Sequence, residues 1–157
     1  MDLTEKIRSF LKTNRIDYQE RRHAAVRTCD ESAMARGEEK KIGGKTLMFK
    51  DKHGVYHLFV LSAALEADSN KIRKILKSQK LRFATDDELK ELAGVEKGAL
   101  PPFGRDILPF DLYVDASILE NDRIAFNPGV TTLSFIMGVT DWFRIVGPTV
   151  CSFARNH

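Results

Sequence analysis

Two runs of consecutive apolar residues, Leu47-Met48-Phe49 and Leu58-Phe59-Val60-Leu61, lie on either side of Asp51-Lys52-His53-Gly54. A strand with one wet face alternates apolar with polar residues, whereas a strand that is apolar at successive positions is covered on both faces. The residues between the runs are turn formers with glycine last. The pattern therefore predicts a hairpin, Lys45 to Lys50 and Val55 to Ser62, at the centre of a sheet.

The hairpin opens on Gly43-Gly44-Lys45-Thr46. An unpaired ammonium is costly to bury, so a lysine at the mouth of a buried strand is an uncommon placement. Such a lysine either snorkels to water or is held for an anionic ligand. Position alone leaves both readings open.

Further elements follow in order. Leu3, Ile7, Phe10 and Leu11 share one face of a helix from Leu3 to Thr13, closed by Asn14. A short polar strand is expected from about Tyr18 to His23. Thr28-Cys29-Asp30-Glu31 has the form of a capping box and predicts a helix from Cys29 to Arg36, ended by Gly37. Asp68-Ser69-Asn70 starts a helix running to about Ser78, with Ile72, Ile75 and Leu76 inward and Lys71, Arg73, Lys74 and Lys77 outward. Leu81 to Ala84 reads as a strand. Thr85 to Glu88 is a second capping box, opening a helix that stops at Gly94. Val95 to Pro109 reads as a Gly/Pro-rich loop, which prolines exclude from a central strand. Strands are expected at Asp111 to Asp115, Arg123 to Phe126 and Thr131 to Met137, with Asn127-Pro128-Gly129 turning between the last two. Asp141, Trp142 and Phe143 begin a short helix or turn, and Thr149 to His157 reads as a loosely held tail. Interleaved helices and strands with hairpins among them favour a mixed α/β sheet.

At 157 residues with no repeat or linker, the chain is expected to form one domain, 1–157. It has 43% hydrophobic and 30% charged residues and a net charge of +3, which permits a nucleic-acid partner without requiring one. No apolar run approaches the roughly 20 residues of a membrane helix, and no signal region precedes the first helix. Cys29 and Cys151 read as free thiols, and the protein is expected to be cytoplasmic.

The residues exclude several chemistries. No Cys/His group has metal-ligand spacing, so no metal is expected. Neither a phosphate-binding P-loop nor a dinucleotide fingerprint is present, and no cofactor is expected. No G-x-S-x-G elbow occurs. His23 and Cys29 suggest a thiol dyad, against which stands the place of Cys29 in a helix cap. Lys45, two glycine-bearing loops and the basic helix face remain. Glycine loops can present backbone N–H groups to a ligand oxygen or serve turn geometry alone. A face of Lys71, Lys74 and Lys77 is either solvated or in contact with phosphates.

One ordered set of motifs goes further. His23-Ala24-Ala25-Val26-Arg27-Thr28, Gly44-Lys45-Thr46-Leu47, Leu81-Arg82-Phe83-Ala84, Gly94, Gly98-Ala99-Leu100-Pro101-Pro102-Phe103-Gly104, Asp115 and Asn127-Pro128-Gly129 occur in this order. Over roughly residues 15 to 145 the sequence resembles the YbaK/prolyl-tRNA-synthetase-associated editing domains. The resemblance implies a compact α/β fold with a mixed, barrel-like sheet flanked by helices. It implies metal-independent hydrolysis, in trans, of mischarged aminoacyl-tRNA, with an aminoacyl-tRNA synthetase as a further partner. Family members clear tRNA(Pro) carrying alanine or cysteine, and relatives act on serine or threonine esters. Lys45 matches the family's functional lysine, Gly98 its loop glycine and Thr46 the variable position after the lysine. Alanine-specific members tend to carry asparagine at that position and histidine near Val130, and both departures weigh against alanine. By analogy Asn127 and Gly129 lie near the site. His23 and Thr28 either line the pocket or cap turns.

Such a site needs no protein nucleophile, because the ester is already activated. It has to position a water, exclude the correct amino acid and stabilise an oxyanion. The backbone N–H groups of Gly98 and Ala99 are candidates for the last task. The Lys45 ammonium is a candidate for holding the terminal phosphate or the carbonyl oxygen, and a terminal ribose hydroxyl for activating the water. The rival reading is a non-catalytic tRNA- or synthetase-binding module using the Lys71, Lys74 and Lys77 face.

Overall fold

The computed structural model describes residues 1–155. Eight strands and five α-helices alternate: α1 Leu3–Thr13, β1 Tyr18–Arg22, α2 Cys29–Arg36, β2 Gly44–Asp51, β3 Tyr56–Ser62, α3 Ser69–Leu76, β4 Leu81–Phe83, α4 Asp86–Ala93, β5 Asp111–Asp115, β6 Arg123–Phe126, β7 Leu133–Gly138, α5 Val139–Val146 and β8 Thr149–Cys151. Short 3-10 turns at Lys40–Ile42 and Ala116–Glu120 complete the order.

The architecture is mixed α/β, but not a barrel. The strands divide into a five-stranded sheet, β4-β2-β3-β5-β8, and an antiparallel three-stranded sheet, β1-β7-β6. In the larger sheet β2 pairs antiparallel with β3 and β4, while β3–β5 and β5–β8 are parallel. The two sheets meet through an isolated bridge between Gly43 and Ala125. Gly44 at the mouth of β2 permits this approach to β6, and Gly43 permits the close passage of Ala63 after β3. A Cβ on Gly44 would sit 2.7 Å from Ile124 Cδ1, and one on Gly43 would sit 2.9 Å from Ala63 Cβ.

The doubly apolar hairpin is placed as its sequence predicts, with β3 at the centre of its sheet. One face sends Met48, Leu58 and Val60 into the main core with Ile124, Phe126 and Trp142. The other packs Phe49, Phe59 and Leu61 against Ile72 of α3 and Phe153. The Gly/Pro-rich loop carries its own anchors: Leu100 and Phe103 are buried, and Trp142 Nε1 donates to Pro102 O at 2.9 Å.

The chain end differs from its sequence reading. Over the described residues the segment after Thr149 is held. It adds β8 beside β5, and Phe153 is fully buried. Asp115 explains why: its Oδ1 accepts the backbone N–H groups of Phe153 and Ala154 at 2.7 and 3.0 Å. Residues 156–157, including His157, lie outside the described residues. The capping box predicted at Thr28 is half formed. Thr28 Oγ1 accepts from Glu31 N, but the Glu31 carboxylate turns to Arg27 N at 3.4 Å. At Thr85 both halves are present.

Candidate active site

A cleft of about 460 Å³ opens where the two sheets meet. Its walls come from α2, the mouth of β2, the ends of β4 and β6, α4 and the Gly98 loop. Along α2 the lining residues are Cys29, Ser32, Ala33 and Arg36, one helical face at i, i+3, i+4 and i+7. The cations Arg27, Arg36, Lys40, Lys45 and Lys97 line it, with Asp86 as the only carboxylate among the described residues. Lys40 is partly neutralised by Asp30, 3.0 Å away. The excess of positive charge suits an anionic ligand.

The structure brings several predicted residues together here. Lys45, Thr46, Thr28, Gly98 and Asn127 all line the cleft. Alternation sends Gly44, Thr46 and Met48 toward Val60 and Ile124, and Lys45 to the opposite face with Leu47. Lys45 is half-buried and, among the described residues, forms no ion pair. Thr46 Oγ1 is buried and, among the described residues, has no hydrogen-bond partner. An orphaned buried hydroxyl costs about 1–3 kcal/mol unless something satisfies it. Thr28 is the N-cap of α2, so it both caps and lines.

Asn127 joins the loop to the helix. Its Nδ2 donates to Gly98 O at 3.0 Å, and its Oδ1 accepts from Arg36 Nη2 at 3.1 Å and from Ser134 Oγ at 3.2 Å. Gly98 has φ +92°, a conformation that favours glycine. The loop narrows the expected oxyanion donors. Ala99 N already donates to Glu96 O at 3.0 Å and Ala99 O accepts from Gly129 N, so Ala99 is a structural link. Among the described residues Gly98 N has no backbone acceptor.

Other predicted residues stand apart. Gly129, at φ +91°, packs on Leu3 of α1 and supports the loop from behind. His23 stands outside the lining: Nδ1 meets Ala24 O at 2.9 Å and Nε2 meets Ser134 Oγ at 2.8 Å. Both ring nitrogens are thereby engaged away from Cys29, and the imagined dyad does not form. Lys71, Lys74 and Lys77 lie on α3 or at its end, outside the cleft, and Lys71 Nζ donates to Ala154 O at 3.0 Å.

Arg36 is absent from the sequence-derived candidates. Its signal lies in the small-residue face Cys29-Ser32-Ala33 that it ends. The residue is 6% exposed, and burial pushes its guanidinium down to about 10. Among the described residues no three His, Cys, Asp or Glu side chains gather into a metal-ligating group, and no helix is long and apolar enough to cross a membrane.

Comparison with known proteins agrees with this geometry. The aminoacyl-tRNA editing domain family matches residues 23–145. The multifunctional Ser/Thr-tRNA deacylase ProXp-y of Escherichia coli K12 is 30% identical over 156 residues, covering 97% of this chain and 93% of that protein. The prolyl-tRNA editing protein ProX of Acetoanaerobium sticklandii is 25% identical over 150 residues, covering 93% and 92%. A crystal structure assigned as a trans-editing enzyme for prolyl tRNA synthetase superposes with a TM-score of 0.83 at 25% identity, over 99% of each chain. With a cationic cleft at the sheet junction and a match spanning every element that lines it, this chain belongs to the aminoacyl-tRNA editing domain family.

Proposed function

We propose that this protein is an aminoacyl-tRNA deacylase that hydrolyses mischarged aminoacyl-tRNA in trans, with the whole chain, 1–157, acting as one editing domain. The observation that carries the reading is the cationic cleft, which holds Lys45, an unpaired Thr46 hydroxyl and the Gly98 loop together. The substrate is a polyanion ending in an activated ester. Cations guide its 3′ end, and the cleft receives a small amino acid. The Lys45 ammonium holds a substrate oxygen, and the Gly98 N–H is directed at the carbonyl oxygen as charge develops there. A ribose hydroxyl activates the water.

The amino acid cleared is one bearing a hydroxyl. Thr46 supplies a buried donor and acceptor that finds no partner among the described residues. A serine or threonine side chain satisfies it, and alanine does not. This preference parallels the named activity of the E. coli relative. The tRNA is tRNA(Pro) or a related tRNA, in keeping with the relatives named for prolyl-tRNA, and a prolyl-tRNA synthetase is the partner that would supply it.

A deacylation panel tests the proposal. The protein meets tRNA(Pro) charged with serine, threonine, alanine, cysteine or proline, beside Lys45→Ala. Hydrolysis of the hydroxyl-bearing esters, lost in the folded variant, is expected. A variant that keeps full turnover would remove Lys45 from the mechanism. Absence of hydrolysis on every ester, with tRNA still bound, would favour the non-catalytic binding module.

A further inference from the structure

Arg36 is a buried cation without a counter-ion. Among the described residues no carboxylate lies within ion-pair distance. The nearest acidic neighbour on the chain, Glu38, is bound instead by Arg21 at 2.7 Å and Arg123 at 2.5 Å. Two of the three guanidinium nitrogens meet neutral oxygens: Nε donates to Ser134 Oγ at 3.0 Å and Nη2 to Asn127 Oδ1 at 3.1 Å. Among the described residues the third nitrogen, Nη1, donates to nothing. It lies beside Gly43, 3.6 Å from where a Cβ on that residue would stand, and both residues line the cleft.

Keeping a guanidinium buried and unpaired is expensive, and an apolar residue would fill the same volume at lower cost. The fork is also held rigid. Ser134 is fully buried, and Asn127 is in turn fixed by Gly98 O. A donor fixed beforehand, in a water-poor recess, is the arrangement that stabilises charge appearing during a reaction. The depth of Arg36 selects among substrate oxygens. A tRNA phosphate, solvated and bulky, stays at the cleft mouth, where Arg27 and Lys97 are exposed. The ester end is then the part of the substrate that would reach Arg36.

We propose that Arg36 is a catalytic residue of this cleft, whose Nη1 donates to the ester carbonyl oxygen as it becomes an oxyanion, opposite the Gly98 N–H. Water adds to the carbonyl carbon, and the C=O pair moves onto the oxygen held by Arg36. The tetrahedral intermediate then collapses, expelling the ribose oxygen, which takes up the proton released by the water. Arg36 gives up no proton. The inference rests on the deacylase reading above.

The test compares wild type with Arg36→Gln on seryl-tRNA, measuring turnover at saturation and, separately, affinity for the non-hydrolysable 3′-amide analogue. Loss of an oxyanion donor lowers turnover by about 100-fold or more, with analogue affinity unchanged within about threefold. Turnover within about fivefold of wild type in a folded variant would overturn the proposal. So would a fall in analogue affinity matching the fall in rate, which would make Arg36 a ground-state phosphate or ester ligand. Should Arg36→Gln fail to fold, Arg36→Lys keeps the charge in the network. One ammonium cannot serve Ser134, Asn127 and the substrate together, so the same split is expected, and its absence is equally decisive. If wild type hydrolyses no aminoacyl-tRNA, the deacylase reading fails; if wild type is active and both variants match it, only the role of Arg36 fails.

Discussion

Asn127 Nδ2 holds Gly98 O at 3.0 Å, so a turn after β6 sets the position of a loop 29 residues earlier. Replacing Asn127 by alanine strands both Gly98 O and Arg36 Nη2. Stability should fall by about 1–3 kcal/mol, read by denaturant melts. Misplacing the loop should slow turnover by up to about a hundredfold. Asn127→Asp keeps the acceptor for Arg36 and loses the donor to Gly98, so it should be the more stable of the two and still slow.

Thr46→Val removes the orphaned hydroxyl at nearly constant volume. The fold should be no less stable, because the cost of an unsatisfied buried group disappears. Discrimination between seryl- and alanyl-tRNA, measured as a ratio of kcat/KM, should fall by about tenfold. An unchanged ratio would move the specificity contact elsewhere in the lining.

Asp115 ties the chain end to β5. Burial by itself would raise its carboxyl, but the hydrogen bonds from Ser117 and from the backbone N–H groups of Phe153 and Ala154 outweigh that and hold it below the ordinary range. A carboxyl depressed by folding contributes stability that is complete above about pH 4 and is lost as pH falls through the folded value. Asp115→Asn should therefore be less stable at pH 7 and lose less on acidification. Melting curves from pH 7 down to about pH 3 check both, and parallel acid limbs would refute the assignment.

The basic face of α3 and the rim of the cleft make separable predictions. Reversing Lys74 and Lys77 should change tRNA affinity little, because neither lines the cleft. Reversing Arg27 and Lys97 should weaken binding and flatten its salt dependence by about one unit of log–log slope for each phosphate no longer engaged. The opposite ranking would place the tRNA on α3 and support the binding module.

Local signals carry most of the fold. The apolar pair Leu47–Phe49 and Leu58–Leu61 locates the central hairpin, and caps such as Asp68 and Thr85 set helix starts to the residue. The chain end departs from its sequence reading because Thr149-Val150-Cys151 is short and its anchor, Asp115, lies 38 residues from Phe153. The barrel expectation fails for a similar reason, since sheet closure depends on pairings between distant segments. In the site, Lys45 and Gly98 stand out by placement and family likeness. Arg36 does not, because a charged residue at a helix end usually reads as solvated. Only the fold shows that Asn127 and Ser134 enclose it. Ala99 looks free to donate in the sequence, yet the loop's own turn engages its N–H with Glu96.

The bridge between Gly43 and Ala125 makes the cleft a gap between two separately built parts. Each jaw is held by its own ladder and both pack into one core, where Met48, Leu58 and Val60 meet Ile124 and Phe126; at the cleft edge the missing side chain of Gly44 acts as the gauge. With Ile124 Cδ1 2.7 Å from where a Gly44 side chain would begin, that gauge has no finer setting. A lineage diversifying from this scaffold would therefore change its diet by altering the chemistry of the lining, residue by residue, while the aperture stayed the same.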